Sequence, residues 1–410
     1  MLRIADILAL PGLHELRLRA GAAGLDHVVR WPYVAENEGI ADWVMGGELV
    51  FVTGINHPRQ EANLLQLVRE AHQQRVAGMV ILTGEEFIRA IPVAVVAEAE
   101  RLSLPLLEQP YQLKMVVVTQ AIGTALVQAQ MLGRSRQHVL EQLLEGGYQS
   151  LEVLLQRARS LALPLAVPRQ LALFRLAGGE QLFTDDAPLQ AESRLQGYRQ
   201  QLHDEIEQVV AGLGDALALI CQGEHWIALL PAADAQQGRH NRQRMQALLV
   251  RANTRLAPLR LFLGLSATGH LPQHYAAGLG EARQALVVAQ SFPERLGLSC
   301  FGELGVLELL SAVRDRQLLD RFVAAVLGAL IHDDGRHSPV LMPTLEAWLQ
   351  CNGNLALAAQ RLQVHRNTLG YRLQRIETLT GRSLGDHHHR LDLTVALMIW
   401  RLSAYQPAPA

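Results

Sequence analysis

The hydrophobic positions in the first third of the chain form short continuous runs that alternate with stretches at helical spacing. Continuous apolar runs occupy residues 48–54, 78–82 and 104–107, and such runs are typical of buried strands. Residues 60–75 and 92–102 instead repeat apolar side chains every three or four positions, which indicates helices. Alternating strands and helices predict a small parallel sheet with crossover helices.

The next segment, residues 113–163, has long helical periodicity and little proline or glycine. Gly146-Gly147 is expected to break this helix, because glycine weakens helix interiors and often ends helices. A helix of this length either packs onto the first domain or forms a connecting and dimerising rod. The sequence alone favours neither arrangement.

A second mixed region, residues 165–292, predicts a sheet with helices beside it. Ala216–Cys221 and Trp226–Leu230 predict the two strands of a hairpin around Gln222-Gly223-Glu224-His225. Residues 293–335 are expected to form a helical linker. The other predicted elements are strands at 171–176 and 261–265 and helices at 188–211, 240–256 and 273–290.

The strongest pattern begins at Thr344, where three short helices follow one another. Thr344 is expected to cap a helix that ends near Gly353, and Asn354 is expected to cap a second helix through its side-chain oxygen. Gln363-Val364 then predicts a tight break before a third helix at 366–379. Two short helices, a turn of about three to four residues and a basic helix describe a helix-turn-helix.

The third helix has two unlike faces. Leu369, Leu373 and Ile376 cluster on one side at about 100° per residue. Between Arg361 and Arg382 there are five arginines and one acid, so the segment is basic within a chain whose formal net charge is −2. The other side carries Asn367, Tyr371, Gln374 and Arg375, flanked by Arg366, Thr368 and Arg372.

The polar side of this helix suits DNA. A recognition helix enters the major groove with its first turns deepest, so early positions meet base edges. Arginine binds guanine and asparagine binds adenine through paired hydrogen bonds, while hydroxyls and N-terminal amides bind phosphates. A solvated amphipathic surface helix is the alternative, and the capped helix before it favours DNA binding. The predicted DNA-binding residues are His365, Arg366, Asn367, Thr368, Tyr371, Arg372 and Arg375, the last as a phosphate contact.

Composition excludes several classes of protein. With 410 residues, 49% hydrophobic and 19% charged, the chain predicts several globular domains rather than a disordered polyelectrolyte. Its near-neutral charge excludes nucleic-acid binding through bulk positive charge, and three scattered cysteines argue against disulfides and a cysteine zinc site. Asp6 lies where a signal peptide would be apolar, and no apolar run is expected to reach the ~18 residues that span a bilayer. We therefore expect a cytoplasmic protein with no membrane partner.

The sequence gives little support for a metal site or for a catalytic nucleophile. His387-His388-His389, near Asp386, could suggest a metal site, but three adjacent histidines point in different directions. We expect a polar loop there and no metal. Gly46-Gly47 and Gly84-Glu85-Glu86 lack the spacing of a phosphate-binding loop. Sixteen scattered histidines define no nucleophile and base, so no catalytic residue and no cofactor is predicted.

Several short motifs stand out near the two ends of the chain. In the C-terminal region they are Asn352-Gly353-Asn354, Ala358-Ala359-Gln360-Arg361-Leu362, Val364-His365-Arg366-Asn367-Thr368-Leu369, Tyr371-Arg372-Leu373 and Arg375-Ile376. These closely resemble the helix-turn-helix of the PucR-type transcriptional regulators. Residues 7–12, 43–49 and Gly54 resemble the sensor domain of that family, and the middle region resembles its degenerate GGDEF-like domain. The resemblance implies a bacterial transcription factor linked to catabolism of purines, sugar acids or amino-acid-like nutrients.

The GGDEF-like resemblance raises the question of cyclase activity. A working domain of that type carries Gly-Gly-Asp/Glu-Glu-Phe on its hairpin, whereas this chain has Cys221-Gln222-Gly223-Glu224-His225-Trp226. One glutamate remains, but the paired glycines and the second acid are missing. Two-metal phosphoryl transfer needs convergent carboxylates, so we expect no cyclic-dinucleotide synthesis and no enzyme here. A relic fold used for dimerisation or signal transmission is expected instead.

Together these patterns predict a multidomain α/β plus all-α protein that regulates transcription of a catabolic pathway. Its expected partners are double-stranded operator DNA, a small-molecule metabolite effector and further copies of itself, as a homodimer or higher homo-oligomer. RNA polymerase would be a further partner of an activator. The alternative is a metabolic enzyme with its active site in the N-terminal α/β domain and helical assembly modules. The expected divisions are a sensor domain at 1–125, a helical linker at 126–164, a GGDEF-like domain at 165–292, a helical linker at 293–335 and a helix-turn-helix domain at 336–405.

Overall fold

The structure of the chain is a computed structural model with two compact units, Met1–His138 and Val139–Ala410. Each unit has its own five-stranded sheet, and the second unit also contains a helical bundle. The predicted fold class, α/β domains followed by an all-α C-terminal domain, is confirmed. The residues that the structure describes are 2–55, 57–185, 187–215, 217–313, 315–336 and 340–404.

The first unit alternates strands and helices as the hydrophobic pattern predicts. The long last helix continues past the boundary between the units. In chain order the elements are α1 (Ile4–Leu8), β1 (Arg17–Ala20), β2 (Trp31–Ala35), β3 (Glu48–Val52), α2 (Glu61–Gln73), β4 (Gly78–Thr83), α3 (Val93–Arg101), β5 (Leu106–Pro110) and α4 (Met115–Glu145).

The sheet of the first unit has the strand order β1-β5-β4-β3-β2. Strands β2 to β5 run parallel, and β1 pairs antiparallel with β5. The predicted parallel strands β3, β4 and β5 and the crossover helices are confirmed. The sequence did not predict the edge strands β1 and β2, since β1 is half arginine and Trp31 and Pro32 begin β2. Edge strands tolerate charge and proline because one side of their backbone stays unpaired.

Helices cover both faces of this sheet. Alternate residues of a strand point to opposite faces, so Val50 and Val52 of β3 face α2 and α3, and Phe51 faces the other way. That second face is covered by α1 and the first half of α4, where Val118 and Ile122 are fully buried. The first part of the long helix is therefore packed onto the N-terminal domain.

Helix α4 also corrects one expectation about membranes. Residues 115–133 carry no charge, and by length and composition this helix alone, among the described residues, could cross a bilayer. The expectation that no uncharged run reaches that length is therefore wrong. Polar but uncharged residues such as glutamine and threonine interrupt the apolar positions, and the segment still carries no charge. The predicted break is confirmed: α4 ends at Glu145, and Gly146 follows with φ of 70°.

The second unit contains the middle sheet and the C-terminal helices. Its elements are α5 (Leu151–Ser160), β6 (Arg169–Ala177), α6 (Gly179–Asp185), α7 (Pro188–Ala211), β7 (Ile220–Gln222), β8 (His225–Pro231), α8 (Ala235–Arg255), β9 (Arg260–Leu265), α9 (Tyr275–Ser291), β10 (Leu298–Cys300), α10 (Val306–Ala312), α11 (Arg316–Arg336), α12 (Leu341–Gln350), α13 (Leu355–Arg361), α14 (Arg366–Thr380) and α15 (His387–Ala404).

The middle sheet has the strand order β10-β9-β6-β8-β7. All its pairs are antiparallel except β10 with β9. The predicted hairpin is confirmed as β7 and β8, which are joined through Gly223 and Glu224. Its first strand is shorter than the predicted Ala216–Cys221, and Ala216 lies outside the described residues.

The segment 293–335, expected to be a helical linker, contains more than a linker. Strand β10 adds an edge to the middle sheet, and its three residues are too few to give a periodic signal. Helix α11 packs into the C-terminal bundle through Leu319, Val323 and Leu327, which share one apolar cluster with Leu369 of α14.

Helix α12 begins earlier than its predicted start. It runs from Leu341, so Thr344 lies inside the helix and is not its cap, which corrects the prediction. The Thr344 side chain is buried, and its hydroxyl donates to the Val340 carbonyl at 2.6 Å. Pro343 lies in the first turn of α12, where a proline removes no helical hydrogen bond.

Candidate nucleic-acid interface

Helix α13 forms the first part of the helix-turn-helix. The Asn354 side chain accepts hydrogen bonds from the backbone amides of Ala356 and Leu357, as the predicted cap requires. Ala358 is fully buried, and such a small side chain lets the neighbouring helix approach closely. Gln363 has φ of 53°, in the left-handed region, and this residue makes the predicted break before α14.

His365 and Gly381 define the ends of α14. His365 precedes the helix with extended backbone, and its Nδ1 accepts a hydrogen bond from the Asn367 amide at 3.3 Å. The side chain predicted to bind DNA therefore also caps the helix. Gly381 ends the helix with φ of 69°, a conformation that glycine adopts without steric cost.

The two predicted faces of α14 are separated as expected. Leu369 and Ile376 are fully buried, and Leu373 is nearly so. On the opposite side, Tyr371 is 67% exposed. Four neighbours before it are also exposed, namely His365, Arg366, Asn367 and Thr368. The structure thus brings five of the seven predicted residues onto one open surface at the start of the helix.

The other two predicted residues are held by neighbouring helices. Arg375 forms an ion pair with Asp333 of α11, with Nη2 to Oδ1 at 2.6 Å. The hydrogen bond and charge of Asp333 raise the pKa of Arg375 above its usual value. Arg372 is half-buried, and its Nη1 lies 3.5 Å from the Thr344 hydroxyl. Spacing along one helix could not reveal these partners, because Asp333 lies 42 residues earlier.

The three adjacent histidines form the first turn of α15, so the expected polar loop is wrong. Asp386 accepts a hydrogen bond from the His388 amide, and this bond and the His389 amide lower the pKa of Asp386. His389 is 2% exposed, and its Nε2 lies 3.3 Å from the Thr380 hydroxyl. Burial lowers the pKa of His389. Within the described residues no group of three or more His, Cys, Asp or Glu side chains is placed to hold a metal ion.

The hairpin of the middle domain has its polar groups paired with arginines. Glu224 lies 3.5 Å from Arg175, and Arg199 donates to the Gly223 carbonyl. The Arg199 guanidinium also stacks over the Trp226 ring at 5.6 Å. These residues line a cavity of about 250 Å³ beside Glu180. The single remaining acid of the hairpin is thus paired with Arg175.

The carboxyl end of β4 and β5 gathers polar side chains from three strands of the first sheet. The Thr83 hydroxyl donates to Glu108 at 2.9 Å, and Arg19 lies 3.4 Å from the same carboxylate. Gln109 is fully buried, and its amide nitrogen donates to the Leu113 carbonyl at 2.8 Å. Its amide oxygen has no hydrogen-bond partner among the described residues.

Comparison with known families divides the chain into three matched regions. Residues 6–126 match the purine catabolism regulatory protein-like family, PucR. Residues 145–288 match the GGDEF-like domain, and residues 341–399 match the PucR C-terminal helix-turn-helix domain. These matches confirm the three resemblances that the sequence motifs indicated.

Individual relatives are similar over shorter stretches. The carbohydrate diacid regulator of Escherichia coli is 47% identical over 15% of this chain and 16% of its own length. The purine catabolism regulatory protein of Bacillus subtilis is 42% identical over 15% of this chain and 12% of its own. The proline-responsive transcriptional activator PutR of Bacillus subtilis is 30% identical over 25% of both chains. The matched stretches therefore span a quarter or less of these relatives, whose names agree with a regulator rather than an enzyme.

Proposed function

Because the chain belongs to the PucR family of transcriptional regulators, we propose that it is a ligand-responsive regulator that binds operator DNA through α14. The observation that carries this proposal is the open polar surface at the start of α14, directly after a capped helix and a tight break. Its five exposed residues lie where a helix-turn-helix presents side chains to the major groove.

Each predicted residue has a role that its position supports. Arg366, Asn367 and Thr368 occupy the first turn, so they contact base edges. Tyr371 and Arg372 follow one turn later, where a hydroxyl and a guanidinium meet the phosphates that flank the bases. His365 caps α14 with its side chain and also contacts a phosphate. Arg375 breaks its ion pair with Asp333 and then contacts a phosphate of the DNA.

The regulated pathway is catabolic and the effector is a small metabolite, by extension from the relatives named above. We place the effector at the carboxyl end of the first sheet, where Glu108 offers its carboxylate beside the Thr83 hydroxyl. A ligand with amino or amide N–H groups would pair with this carboxylate. The protein acts in the cytoplasm as a homo-oligomer, with RNA polymerase as a further partner if it activates transcription. Its working divisions are a sensor domain at 1–125, a GGDEF-like domain at 165–292 to which β10 adds an edge strand, and a DNA-binding domain at 336–405 onto which α11 packs.

A titration of the full-length protein with labelled DNA from upstream of its gene tests the α14 surface. We expect Arg366→Ala and Asn367→Ala each to weaken operator binding by about 1–3 kcal/mol and to relax sequence preference at one base pair. Arg251→Ala is the matched control, because Arg251 is an exposed arginine on α8 of the middle domain. Equal affinity and equal sequence preference for the native protein and both α14 variants would refute the proposal.

A further inference from the structure

Helix α4 has an exposed seam on the side that faces away from the first sheet. We define the seam as five exposed residues whose separations alternate between three and four positions: Val117, Gln120, Thr124, Val127 and Met131. At about 100° per residue, the seam lies roughly opposite Val118, Ile122 and Leu126, which pack on the sheet. The sheet therefore leaves this side of α4 uncovered.

The seam is unusually apolar for a surface that contacts solvent. Met131 is 62% exposed and Val127 is 50% exposed. No charged residue occurs between Lys114 and Arg134, whereas the solvent face of a surface helix normally carries charged residues. Exposed apolar side chains on an uncharged helix face of this kind indicate an interaction site.

We propose that the seam is the dimerisation surface, where a second copy of this chain packs its own seam against it as a two-helix coiled coil. Alternating separations of three and four residues are the spacing of coiled-coil contact positions. A two-fold interface brings the same patch of both copies together, so the patch must be complementary to its own copy. An uncharged seam has no self-repulsion along its length, and Gln120 and Thr124 can hydrogen-bond with their counterparts. The proposal also rests on the proposed function, since one α14 reads few base pairs and paired half-sites need two copies.

A bilayer fits this surface less well than a second copy does. Gln120, Thr124, Gln128 and Gln130 are exposed on α4, and their polar groups would find no partners in hydrocarbon. The buried side of the same helix is part of the core of the first sheet, so a spanning helix would have to abandon that core. A second copy can bury the apolar side chains of the seam and can also hydrogen-bond with its polar side chains.

Sedimentation equilibrium of the full-length protein without DNA tests the seam. The native chain is expected to be a dimer, and the double variant Val127→Glu with Met131→Glu is expected to weaken the dimer by about 100-fold or more, since it buries unpaired carboxylates. Val250→Glu is the matched control, because Val250 is an exposed apolar residue of α8, outside the seam. It should leave the dimer unchanged. Circular dichroism and a thermal melt confirm that each variant is folded.

A cysteine cross-link gives a second readout that does not depend on a disruptive substitution. Thr124→Cys places a thiol in the middle of the seam, where it meets its counterpart in either a parallel or an antiparallel pair. The background carries Cys221→Ser, because Cys221 is an exposed native cysteine. We expect a covalent dimer under mild oxidation with Thr124→Cys, and none with Gln130→Cys, which lies off the seam.

Three outcomes would overturn the proposal. They are a monomeric native chain, a charged seam variant that stays dimeric and folded, and native protein that floats with phosphatidylcholine vesicles through α4. None of these measurements involves DNA. A chain that dimerises through the seam and fails to bind operator DNA would refute the proposed function alone, and a chain that binds DNA as a dimer through another surface would refute the seam alone.

Discussion

Replacing Asp333 with alanine tests whether α11 restrains the recognition helix. The carboxylate of Asp333 accepts hydrogen bonds from Nη2 and Nε of Arg375, at 2.6 and 3.3 Å. The Arg375 side chain is 42% exposed, so solvent screens the pair and its contribution is small. In the proposed complex, Arg375 gives up this carboxylate to reach a phosphate, and we expect that exchange to oppose binding.

Without Asp333 the exchange no longer breaks an ion pair, so the variant should bind DNA more tightly. A screened surface pair of this kind limits the gain in affinity to about fivefold. Phosphate contacts carry no sequence information, so the gain should be the same for operator DNA and for a scrambled duplex. Arg375→Ala should instead weaken binding to both duplexes.

Fluorescence anisotropy with both duplexes at one fixed salt concentration measures these changes. Asp320→Ala is the matched control, since Asp320 is an exposed acid on the same helix and its loss changes the net charge equally. If Asp333→Ala and Asp320→Ala raise the affinity by the same factor, only net charge matters, and the argument for a restraining ion pair fails.

Three further predictions concern the stability of the C-terminal bundle. Asn354→Ala should lower the free energy of unfolding by about 1 kcal/mol, and Asn354→Ser should restore most of it, because serine also caps a helix; urea titration followed by circular dichroism measures both. Leu369→Ala should cost about 2–5 kcal/mol in the same titration, since the fully buried side chain leaves a cavity. Burial lowers the pKa of His389 below its usual 6.5, so its contribution to stability is present above that pH and is lost as the pH falls through the lowered pKa. His389→Gln should therefore show less loss of stability between about pH 7.5 and about pH 5.5 than the native chain, and an identical loss would contradict this.

The central parts of both sheets were predictable because burial leaves a local signal. Strands β3 and β4 are covered on both faces, so they read as continuous apolar runs such as Val50-Phe51-Val52. Edge strands have no such signal, because their exposed side admits Trp31 and their unpaired backbone admits Pro32. Strand β10 is too short to be periodic, and only its pairing with β9 identifies it.

The candidate interface was predictable where it depends on one helix. Periodicity within α14 correctly separated the buried Leu369 and Ile376 from the exposed Tyr371. Contacts with other helices could not be predicted in this way. Nothing in the local spacing relates Arg375 to Asp333, and the burial of His389 depends on how α15 packs. Sequence identifies the face of a helix, whereas the structure identifies the groups that restrain it.

The recognition helix is joined to the middle sheet through packed helices rather than through loops. Helix α14 packs against α11, and α11 packs against α15. Helix α15 reaches α9, where Leu402 shares an apolar cluster with Phe292 and the Arg401 guanidinium stacks over the Phe292 ring at 5.1 Å. Helix α9 lies directly on β9 at Gly264, where a Cβ atom would be 2.1 Å from the Ala282 carbonyl oxygen. Because close-packed interfaces transmit displacements, a rotation of the middle sheet must either carry α14 with it or break the α9–α15 contact. A displacement of the middle sheet that leaves the α9–α15 contact intact therefore moves the DNA-binding surface with it.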